Sequence, residues 1–538
     1  MAQTVREVTY EVLRSLGMTT IFGNPGSTEL PFLRDLPADF KYVLALHERS
    51  AAGMALGYAM ASKNAAFVNL HSIASAGNGM SAIVDALYSH APLVITTGQQ
   101  DRRQLLAEPF LVSRATEVVR PYVKWVCEPL RPEDVPAAIA RGYHLAMQPP
   151  MGPVFISIPM DDWNHDCSPC VARRVSQTVA PSEAELRKAT EALHPARRLA
   201  IVVGAQIEED NAWDEVVALA EHLNAEVFEE PIPSRWTFPR THRLFRGELL
   251  PGQAPLADQL SRFDAVLVLG APVFLYYAYV PGDAIKPGTT LVQVTNSGAD
   301  AAAALAGRSI VGNIGMAARY LRENLPPGKQ PPSPAPQRSK PEPSFPISPA
   351  YLFSVLNQIM PRDAILCEEV PSSKGDLDQN IDLDCPNSFY SVRTGILGFA
   401  MPTAVGLQLA NPGRRVVCPV GDGSAQYSIQ ALWSAVQYKA PVIFIVLRNG
   451  DYSALRTFCH FTNVGENVPG IEISGIDMVK IAQGYGLTAD EVERPEDLDA
   501  ALGRAFSSPG PYLLNVKVQK AGQRCMGMDL SVNRPNYR

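Results

Sequence analysis

The sequence predicts an α/β protein built from three consecutive doubly wound parallel-sheet domains. The chain has 538 residues, several times the length of a usual single domain. Short apolar runs rich in β-branched residues alternate with segments of helical period, which is the pattern of parallel sheets covered by helices. Two segments without periodicity interrupt this alternation, so we expect three units of the same kind.

The predicted strands are the apolar runs of each unit. In the first unit they are YVLAL, AFVNL, PLVITTG and GPVFISIP, with helices predicted over 49–62 and 133–147. In the second unit they are RLAIVVG, AEVFEE, AVLVLG and TTLVQVT, with a helix over 211–223. In the third they are AILCEE, RVVCPVG, PVIFIVL and PYLLNVKV. Each unit therefore has the strands of a separate sheet.

The breaks between the units are rich in Pro and Ser. Residues 166–185 lose all periodicity, and residues 326–346 are so Pro-rich that we expect an extended linker there. Cys167 and Cys170 have CxxC spacing near His165, but no second pair follows, which favours polar interdomain sequence over a zinc site. The predicted domains are residues 1–180, 181–330 and 345–538, with the Pro-rich linker at 326–346.

Composition excludes several classes of protein. The formal net charge is only −7, so we expect no nucleic-acid partner. No uninterrupted apolar run approaches the roughly 18 residues of a membrane span, so no membrane partner is expected. The start, MAQTVREVTYEVLRSLG, predicts an amphipathic helix and not a secretion signal, and eight cysteines are thinly spread. We expect a soluble, cytoplasmic protein.

Polar clusters follow two apolar strands of the third unit. Gly421, Asp422, Gly423 and Ser424 come at the end of RVVCPVG, and Asn449 opens a cluster after the next strand. Both clusters should lie at the edge where open α/β sheets bind ligands. The oxygens of Asp422 and Asn449, with a nearby backbone carbonyl, are hard ligands that suit Mg²⁺. The alternative is two ordinary turns, which the intact strand, helix and strand between them disfavours.

The glycines around Asp422 add a second expectation. Gly421 and Gly423 allow the backbone to approach a diphosphate closely. A helix predicted to open after Ser424 would direct its free N–H groups at the same anion. The sequence therefore predicts a diphosphate held against the metal.

Glu48 is a candidate proton-transfer group. In YVLALHERSAAGMALGYAMA it stands where an apolar strand gives way to a helix of small residues. We expect burial there to raise the pKa of its carboxyl group, which suits a proton shuttle. The alternative is an exposed glutamate in the first turn of a helix.

The sequence GDGS, followed 27 positions after Asp422 by Asn449 and glycine, resembles the thiamine-diphosphate signature of the pyruvate-oxidase and decarboxylase superfamily. The resemblance implies thiamine diphosphate and Mg²⁺ as cofactors. It implies metal ligation by the side chains of Asp422 and Asn449 and by the backbone carbonyl of Asp451. The family commonly has a second asparagine where this chain has Arg448, but the metal-binding one is kept. It also implies that Glu48 hydrogen-bonds the aminopyrimidine ring and promotes cofactor activation.

Nearly the whole chain resembles the benzoylformate decarboxylase family, through blocks such as IFGNPGSTELPFL, SHAPLVITTGQQ, GPVFISIPMDDW and GILGFAMPTAVGLQLA. The resemblance implies that Ser27 and His71 hold the substrate carboxylate and relay protons. It implies that Leu397 supports the bent cofactor and that the Gly395 carbonyl accepts from its amino group. The remaining implied cofactor positions are Ser372, Ser373, Gly421, Gly423, Ser424 and Tyr452. The implied pocket wall is Ala454, Leu455 and Phe458. Taken singly, each of these residues has an ordinary structural alternative.

Two positions depart from the family pattern in the substrate pocket. Tyr277 stands where the family has a second catalytic histidine, and Ser391 replaces an aromatic residue, with Arg393 two positions on. A phenol of pKa about 10 is poorly matched to a proton relay at neutral pH. Less aromatic wall and a new cation would favour a smaller, longer or more acidic substrate.

The resemblance implies decarboxylation of a 2-oxo acid to an aldehyde and CO₂. The alternative is a carboligase of the acetolactate-synthase type that makes 2-hydroxyketones, because loss of the second histidine would slow protonation. A cofactor-binding paralogue without activity is a third possibility, which the retained Glu48 and His71 disfavour. Whether the second domain holds a flavin stays open. We expect a homo-oligomer, with a dimer as the minimum and a tetramer as the family habit.

Overall fold

The computed structural model describes residues 3–112, 114–277, 279–328, 332–334, 340–462, 464–465, 467–520, 524–525 and 528–529. The described residues form three six-stranded parallel sheets with helices between the strands, which confirms the predicted fold class. Small antiparallel pairs join Gln3–Thr4 to Asp166–Cys167 and Arg524–Cys525 to Met528–Asp529. Among the described residues, no helix has the length and apolar character needed to cross a membrane.

The first sheet is formed by the N-terminal part of the chain. From edge to edge its strands are Lys41–Leu44, Thr20–Asn24, Ala66–Leu70, Leu93–Gln99, Val154–Pro159 and Trp125–Cys127. Its α-helices are Val5–Ser15, Leu30–Leu33, Glu48–Ser62, Ser72–Tyr88, Ala115–Val119 and Val135–Met147. Short 3₁₀ helices are Arg102–Ala107, Arg120–Tyr122, Pro132–Asp134 and Asp162–Asn164.

The second sheet follows in the middle of the chain. From edge to edge its strands are Phe245–Glu248, Glu226–Glu229, Leu199–Val203, Ala265–Leu269, Thr290–Thr295 and Arg308–Val311. Its helices are Glu183–Leu193, Gln206–Glu209, Trp213–Leu223, Gln253–Leu260, Gly298–Ala303 and Ile314–Asn324. Numbered along the chain, its strand order is 3-2-1-4-5-6, the doubly wound order of dinucleotide-binding folds.

The third sheet has the same strand order as the first, 2-1-3-4-6-5. Its strands are Phe389–Ser391, Ile365–Glu368, Val416–Gly421, Ile443–Arg448, Tyr512–Lys517 and Thr488–Val492. Its α-helices are Pro349–Ile359, Lys374–Asn380, Ala400–Ala410, Asp422–Ala425, Ala431–Gln437, Ser453–Thr462, Met478–Gly484 and Leu498–Ser507, with a 3₁₀ turn at Pro495–Asp497.

The Glu48–Ser62 helix of the first sheet packs against the Ala400–Ala410 helix of the third at very short range. A Cβ atom on Gly57 would lie 2.2 Å from the carbonyl oxygen of Thr403, and one on Gly406 would lie 1.9 Å from that of Met54. Glycine is required at both positions because any side chain would collide with the facing backbone. This contact joins the two sheets through one buried apolar cluster.

The three sheets also meet around Glu208. Its Oε1 atom accepts a hydrogen bond from the Asn387 backbone N–H at 2.5 Å, and its carbonyl accepts one from Lys63 at 3.2 Å. The Arg235 guanidinium lies 3.6 Å from Oε2. Burial raises the pKa of the Glu208 carboxyl to about 7, although Arg235 partly offsets it. Protonation of this group is therefore coupled to the packing of the sheets.

Replacing Gly57 by alanine should destabilise the protein. We expect Gly57→Ala to lower the free energy of unfolding by about 1–3 kcal/mol, the usual cost of overpacking. Gly503→Ala is the matched control, since Gly503 also lies in a helix and a Cβ there would meet no atom within 4 Å. The control should be neutral or stabilising by up to about 1 kcal/mol. Equal thermal midpoints for the two variants would contradict the close helix contact.

Glu208→Gln should change the pH dependence of stability. The folded-state pKa of about 7 lies above the ordinary value of 4.5. Glu208 therefore contributes stability that is fully present below the ordinary value and is lost as pH rises through the folded value. Between pH 5 and pH 8 the thermal midpoint of Glu208→Gln should rise relative to that of the parent. The corresponding free-energy change is on the order of 3 kcal/mol. Glu183→Gln, at an exposed side chain, is the control. A parallel pH profile for parent and Glu208→Gln would refute the titration.

Candidate active site

Asp422 connects the carboxyl ends of two neighbouring strands. Its Oδ2 atom accepts hydrogen bonds from the backbone N–H groups of Asn449 at 3.1 Å and Gly450 at 2.7 Å. Its Oδ1 atom accepts from Gly423 N at 2.9 Å. Burial raises the pKa of Asp422, and these backbone donors oppose that rise. The two clusters that the sequence singled out are thus brought together at one sheet edge, as parallel pairing of their strands requires.

The residues of the Asn449–Asp451 turn differ in which of their atoms already have hydrogen-bond partners. Asn449 Oδ1 accepts from Asp451 N at 2.9 Å, and Gly450 takes a positive φ of 67°. Oδ2 of the buried Asp451 carboxylate pairs with Arg456, at 2.6 Å and 3.0 Å, and with Lys520 at 3.0 Å, whereas Oδ1 has no hydrogen-bond partner among the described residues. Two cations therefore neutralise the Asp451 side chain, which is compatible with metal ligation through its carbonyl.

The helix at the first polar cluster does not begin where the sequence predicts. It begins at Asp422 and ends at Ala425, and the next helix begins only at Ala431, so the predicted helix opening after Ser424 is wrong. Gly421 caps it with extended backbone, which means that the strand passes directly into the helix at Asp422. A helix of four residues has too few aligned peptide units for a substantial dipole.

The glycines and Tyr452 of this region have different steric surroundings. A Cβ on Gly423 would lie 2.5 Å from the Tyr452 ring, whereas one on Gly421 would meet nothing closer than 3.6 Å. Ser424 is buried beside them. Packing against Tyr452 thus requires glycine at 423, and steric contacts do not require it at 421.

Glu48 is the first residue of its helix and is buried. Its carboxylate accepts hydrogen bonds from Ser75 Oγ at 2.7 Å, Asn78 Nδ2 at 3.0 Å and Asn24 Nδ2 at 3.3 Å. Burial raises its pKa, but the bonds from Ser75, its own backbone N–H and Asn78 together hold that pKa below the ordinary value. The predicted rise of the Glu48 pKa is therefore wrong, because polar donors replace the lost water.

His71 directly follows the Ala66–Leu70 strand of the same sheet. Its Nδ1 atom lies 2.9 Å from Thr28 Oγ1 and 2.9 Å from Glu29 Oε2. The ring packs on Gly26, where a Cβ would come within 2.2 Å of it. Ser27 is the exposed next residue of that turn. The structure therefore brings Ser27 and His71 to one corner and fixes the histidine ring.

The remaining predicted cofactor positions lie on two irregular segments of the third sheet. Gly395 is exposed with a φ of +73°, and Leu397 is half-buried just before the Ala400–Ala410 helix. Ser372 and Ser373 lie in the turn before the Lys374–Asn380 helix, where Ser373 N donates to the Val370 carbonyl at 2.8 Å. Both segments follow or flank carboxyl ends of strands, where ligands bind in such sheets.

The predicted pocket wall is partly assembled. The half-exposed Tyr277 meets the Phe458 ring edge-on at 5.4 Å, and Phe458 and Ala454 pack on a small cluster with Val280. Leu455 is exposed on the same helix. These side chains give an aromatic and aliphatic surface.

Ser391 and Arg393 do not contribute as predicted. Ser391 is buried and its hydroxyl donates to the Glu368 carboxylate. The Arg393 guanidinium pairs with Glu230 at 2.8 Å. Burial lowers the pKa of Arg393, but the Glu230 carboxylate raises it, and the pKa lies above its ordinary value. The prediction of a new cation in the pocket is therefore wrong, because a buried carboxylate of the central sheet neutralises Arg393.

Three buried charged residues near these segments were not predicted from the sequence. Asp85 lies inside a run of apolar and small residues, and Arg49 and Glu369 each lie at the border of such a run, next to another glutamate. Charged side chains are rarely buried without a partner, so their occurrence in such segments was the available signal.

The donors at the Asp422 edge fit a magnesium ion with a diphosphate. Asp422 and Asn449 offer carboxylate and amide oxygens, and the backbone of Asp451 adds a carbonyl oxygen, whereas the Gly450 carbonyl already accepts from Ile473 N at 3.0 Å. An all-oxygen set with few carboxylates is what Mg²⁺ uses when phosphate oxygens and water complete its shell.

Comparison with known protein families identifies the class of enzyme to which the fold belongs. Family models described as "Thiamine pyrophosphate enzyme" match the N-terminal TPP binding domain at residues 3–115, the central domain at 186–321 and the C-terminal TPP binding domain at 371–516. The chain belongs to the thiamine pyrophosphate enzyme family, which confirms the predicted family and cofactor class.

Individual relatives narrow the class to the 2-oxo acid decarboxylases. Benzoylformate decarboxylase of Pseudomonas aeruginosa is 42% identical, over 96% of this chain and 99% of the relative. The 4-hydroxybenzoylformate decarboxylase structure from Rhodococcus jostii RHA1 superposes with a TM-score of 0.94 at 41% identity, covering 97% and 100% of the two chains. The Polynucleobacter necessarius benzoylformate decarboxylase structure also gives 0.94, at 36% identity over 96% and 99%. An acetolactate synthase of Arthrospira platensis is only 25% identical over 96% and 95%.

Asp422→Ala should abolish metal-dependent retention of thiamine diphosphate. The matched control is Asp210→Ala, because Asp210 is also mostly buried and also accepts a backbone N–H, from Ile314 at 2.7 Å, but lies in the central sheet. Gel filtration of reconstituted protein, followed by cofactor assay, measures the result. Equal retention by the two variants would refute Asp422 as a ligand.

Proposed function

We propose that this chain decarboxylates a 2-oxo acid to an aldehyde and CO₂, using thiamine diphosphate held by Mg²⁺, with benzoylformate-type acids as its substrates. The observation that carries the proposal is the joined Asp422–Asn449 edge in a chain 42% identical to a benzoylformate decarboxylase. The bound cofactor would supply an electron sink for the pair released with CO₂. The protein would supply binding, orientation and proton transfer.

The predicted site residues other than Ser391 have roles in this proposal. Asp422 and Asn449 hold the metal by side chains, and Asp451 holds it by its carbonyl. Glu48, kept ionised by the hydrogen bonds that it accepts, would in turn accept a proton at the aminopyrimidine ring. His71, fixed by Thr28 and Glu29, orients the substrate carboxylate together with Ser27 and moves a proton at the reacting carbon. The proposed cofactor contacts are Gly395, Leu397, Ser372, Ser373, Gly421, Gly423, Ser424 and Tyr452.

The pocket favours an apolar substituent on the 2-oxo acid. Tyr277 and Phe458 contact each other edge-on, and Ala454 and Leu455 extend the same surface. With Arg393 neutralised by Glu230, the wall gains no cation from that residue. This supports an aryl substituent over a second carboxylate.

The proposal includes a homodimer as the minimum active unit, a tetramer as the assembled form and a cytoplasmic location. The partners of the Glu48 carboxylate, Asn24, Ser75 and Asn78, all belong to the first sheet and its helices. The partners of the Asp422 carboxylate all belong to the third. Such separate clusters are what a site completed by a second subunit requires.

Purified protein with thiamine diphosphate and Mg²⁺ should release CO₂ and benzaldehyde from benzoylformate, and do so faster than it turns over pyruvate or a dicarboxylic 2-oxo acid. Gas and aldehyde assays measure this. Preference for a dicarboxylic acid would contradict the pocket argument, and 2-hydroxyketone as the main product would indicate the carboligase.

Glu48→Gln should reduce kcat by about 10²-fold or more, the usual contribution of a proton-transfer group, while cofactor binding is largely kept. Glu128→Gln is the control, because the exposed Glu128 also accepts from a serine hydroxyl, Ser157 Oγ at 2.6 Å, outside the candidate site. Near-normal turnover by Glu48→Gln would refute its role.

A further inference from the structure

Arg49, the residue after Glu48, reaches from the first sheet to the segment that precedes the Ala400–Ala410 helix. Its side chain is 4% exposed and pairs with Asp85, itself 1% exposed, at 2.8 Å. Arg49 Nε donates to the Gly398 carbonyl at 3.3 Å, and Nη2 donates to the Leu397 carbonyl at 3.3 Å. One buried guanidinium thus holds two consecutive carbonyls of that segment.

Glu369 holds the same segment from the other side. Its Oε1 atom accepts from Gly398 N at 2.7 Å, and Oε2 accepts from Ala400 N at 2.8 Å. Its own carbonyl accepts from Gly421 N at 3.0 Å, in the turn that leads to Asp422. Glu369 therefore links the Leu397–Ala400 segment directly to the candidate metal edge.

The Leu397–Ala400 segment depends on these side chains for its conformation. Residues 392–399 contain no helix or strand, and Gly398 has a φ of +97°. Buried backbone groups without regular partners must be satisfied by side chains or water. Here a guanidinium donates to the carbonyls and a buried carboxyl group accepts from the amides, so complementary side chains fix the backbone position from both sides.

We propose that Arg49, Asp85 and Glu369 are positioning residues that set the Leu397–Ala400 segment for thiamine diphosphate. The inference rests on the proposed function, in which Leu397 supports the bound cofactor. Arg49 follows Glu48 directly, so the same helix start that carries the proton-transfer carboxylate also fixes the cofactor support. Movement of the helix would shift both together.

The test compares Arg49→Lys with Arg246→Lys. Arg246 is also buried, pairs with Glu226 at 3.0 Å and donates to the carbonyls of Arg243 at 2.9 Å and Phe245 at 2.7 Å, but it lies in the central sheet. Lysine keeps the charge in both variants and loses the planar fork that serves several acceptors at once. The two substitutions therefore remove the same kind of bonding in different places.

The readouts are the dissociation constant of thiamine diphosphate with Mg²⁺ by titration calorimetry, the thermal midpoint of the cofactor-free protein, and kcat and KM for benzoylformate. Arg49→Lys should raise the dissociation constant by about tenfold, which corresponds to about 1.4 kcal/mol, and should lower kcat with little change in KM. Arg49→Lys and Arg246→Lys should lower the thermal midpoint of the cofactor-free protein by similar amounts. Arg246→Lys should leave the cofactor affinity unchanged. Arg49→Met should lose more affinity than Arg49→Lys.

The outcomes separate this inference from the proposed function. If the parent binds no thiamine diphosphate, the proposed function fails. If the parent binds it and Arg49→Lys binds equally well, only the positioning role is overturned. Equal loss of affinity in Arg49→Lys and Arg246→Lys would show a purely structural ion pair and would also overturn it. If Arg49→Lys does not fold, Glu369→Gln, which keeps the volume and one acceptor oxygen, should show the same selective loss of affinity.

Discussion

The backbone contact between the Glu48–Ser62 and Ala400–Ala410 helices is the constraint on which the candidate site depends. Both helices begin at the site, one with Glu48 and the other just after Leu397. They approach so closely because Gly57 and Gly406 present no side chain to the facing carbonyls. Close-packed interiors do not yield to small displacements, so this contact sets how the first sheet is placed on the third. The positions of the two helix starts follow from it.

Backbone dipoles and neutral donors, more than ion pairs, hold the candidate acidic groups of the site. Glu48 is surrounded by a hydroxyl and two amide groups, and Asp422 by three backbone N–H groups. Such donors compensate for lost hydration without adding a neutralising charge. The balance between burial and these donors differs at the two residues. The pKa of Glu48 is lowered, whereas that of the more deeply buried Asp422 is raised. Asp451 is the exception, since Arg456 and Lys520 form ion pairs with Oδ2 of its carboxylate.

Prediction from the sequence succeeded for strands inside the sheets and failed mainly at their edges. Interior strands of a parallel sheet are covered on both faces and form continuous apolar runs, which is why AFVNL and PVIFIVL were recognisable. Edge strands are short and partly exposed, so their polar residues hide them. The unrecognised edge strands are Trp125–Cys127, Phe245–Glu248, Arg308–Val311, Phe389–Ser391 and Thr488–Val492. The interior strand Thr20–Asn24 was also missed, at the start of the IFGNPG block.

The sequence alone determined the fold class and the meeting of Asp422 with Asn449, because local periodicity and strand polarity suffice for these, and its motifs indicated the family by resemblance. Only the tertiary structure decided the pKa of Glu48, the pairing of Arg393 with Glu230, and the contacts of Arg49 and Glu369 with the Leu397–Ala400 segment. These depend on which groups from distant parts of the chain surround a charge. Electrostatic free energies depend on the distance and solvation of every neighbour, and sequence spacing specifies neither.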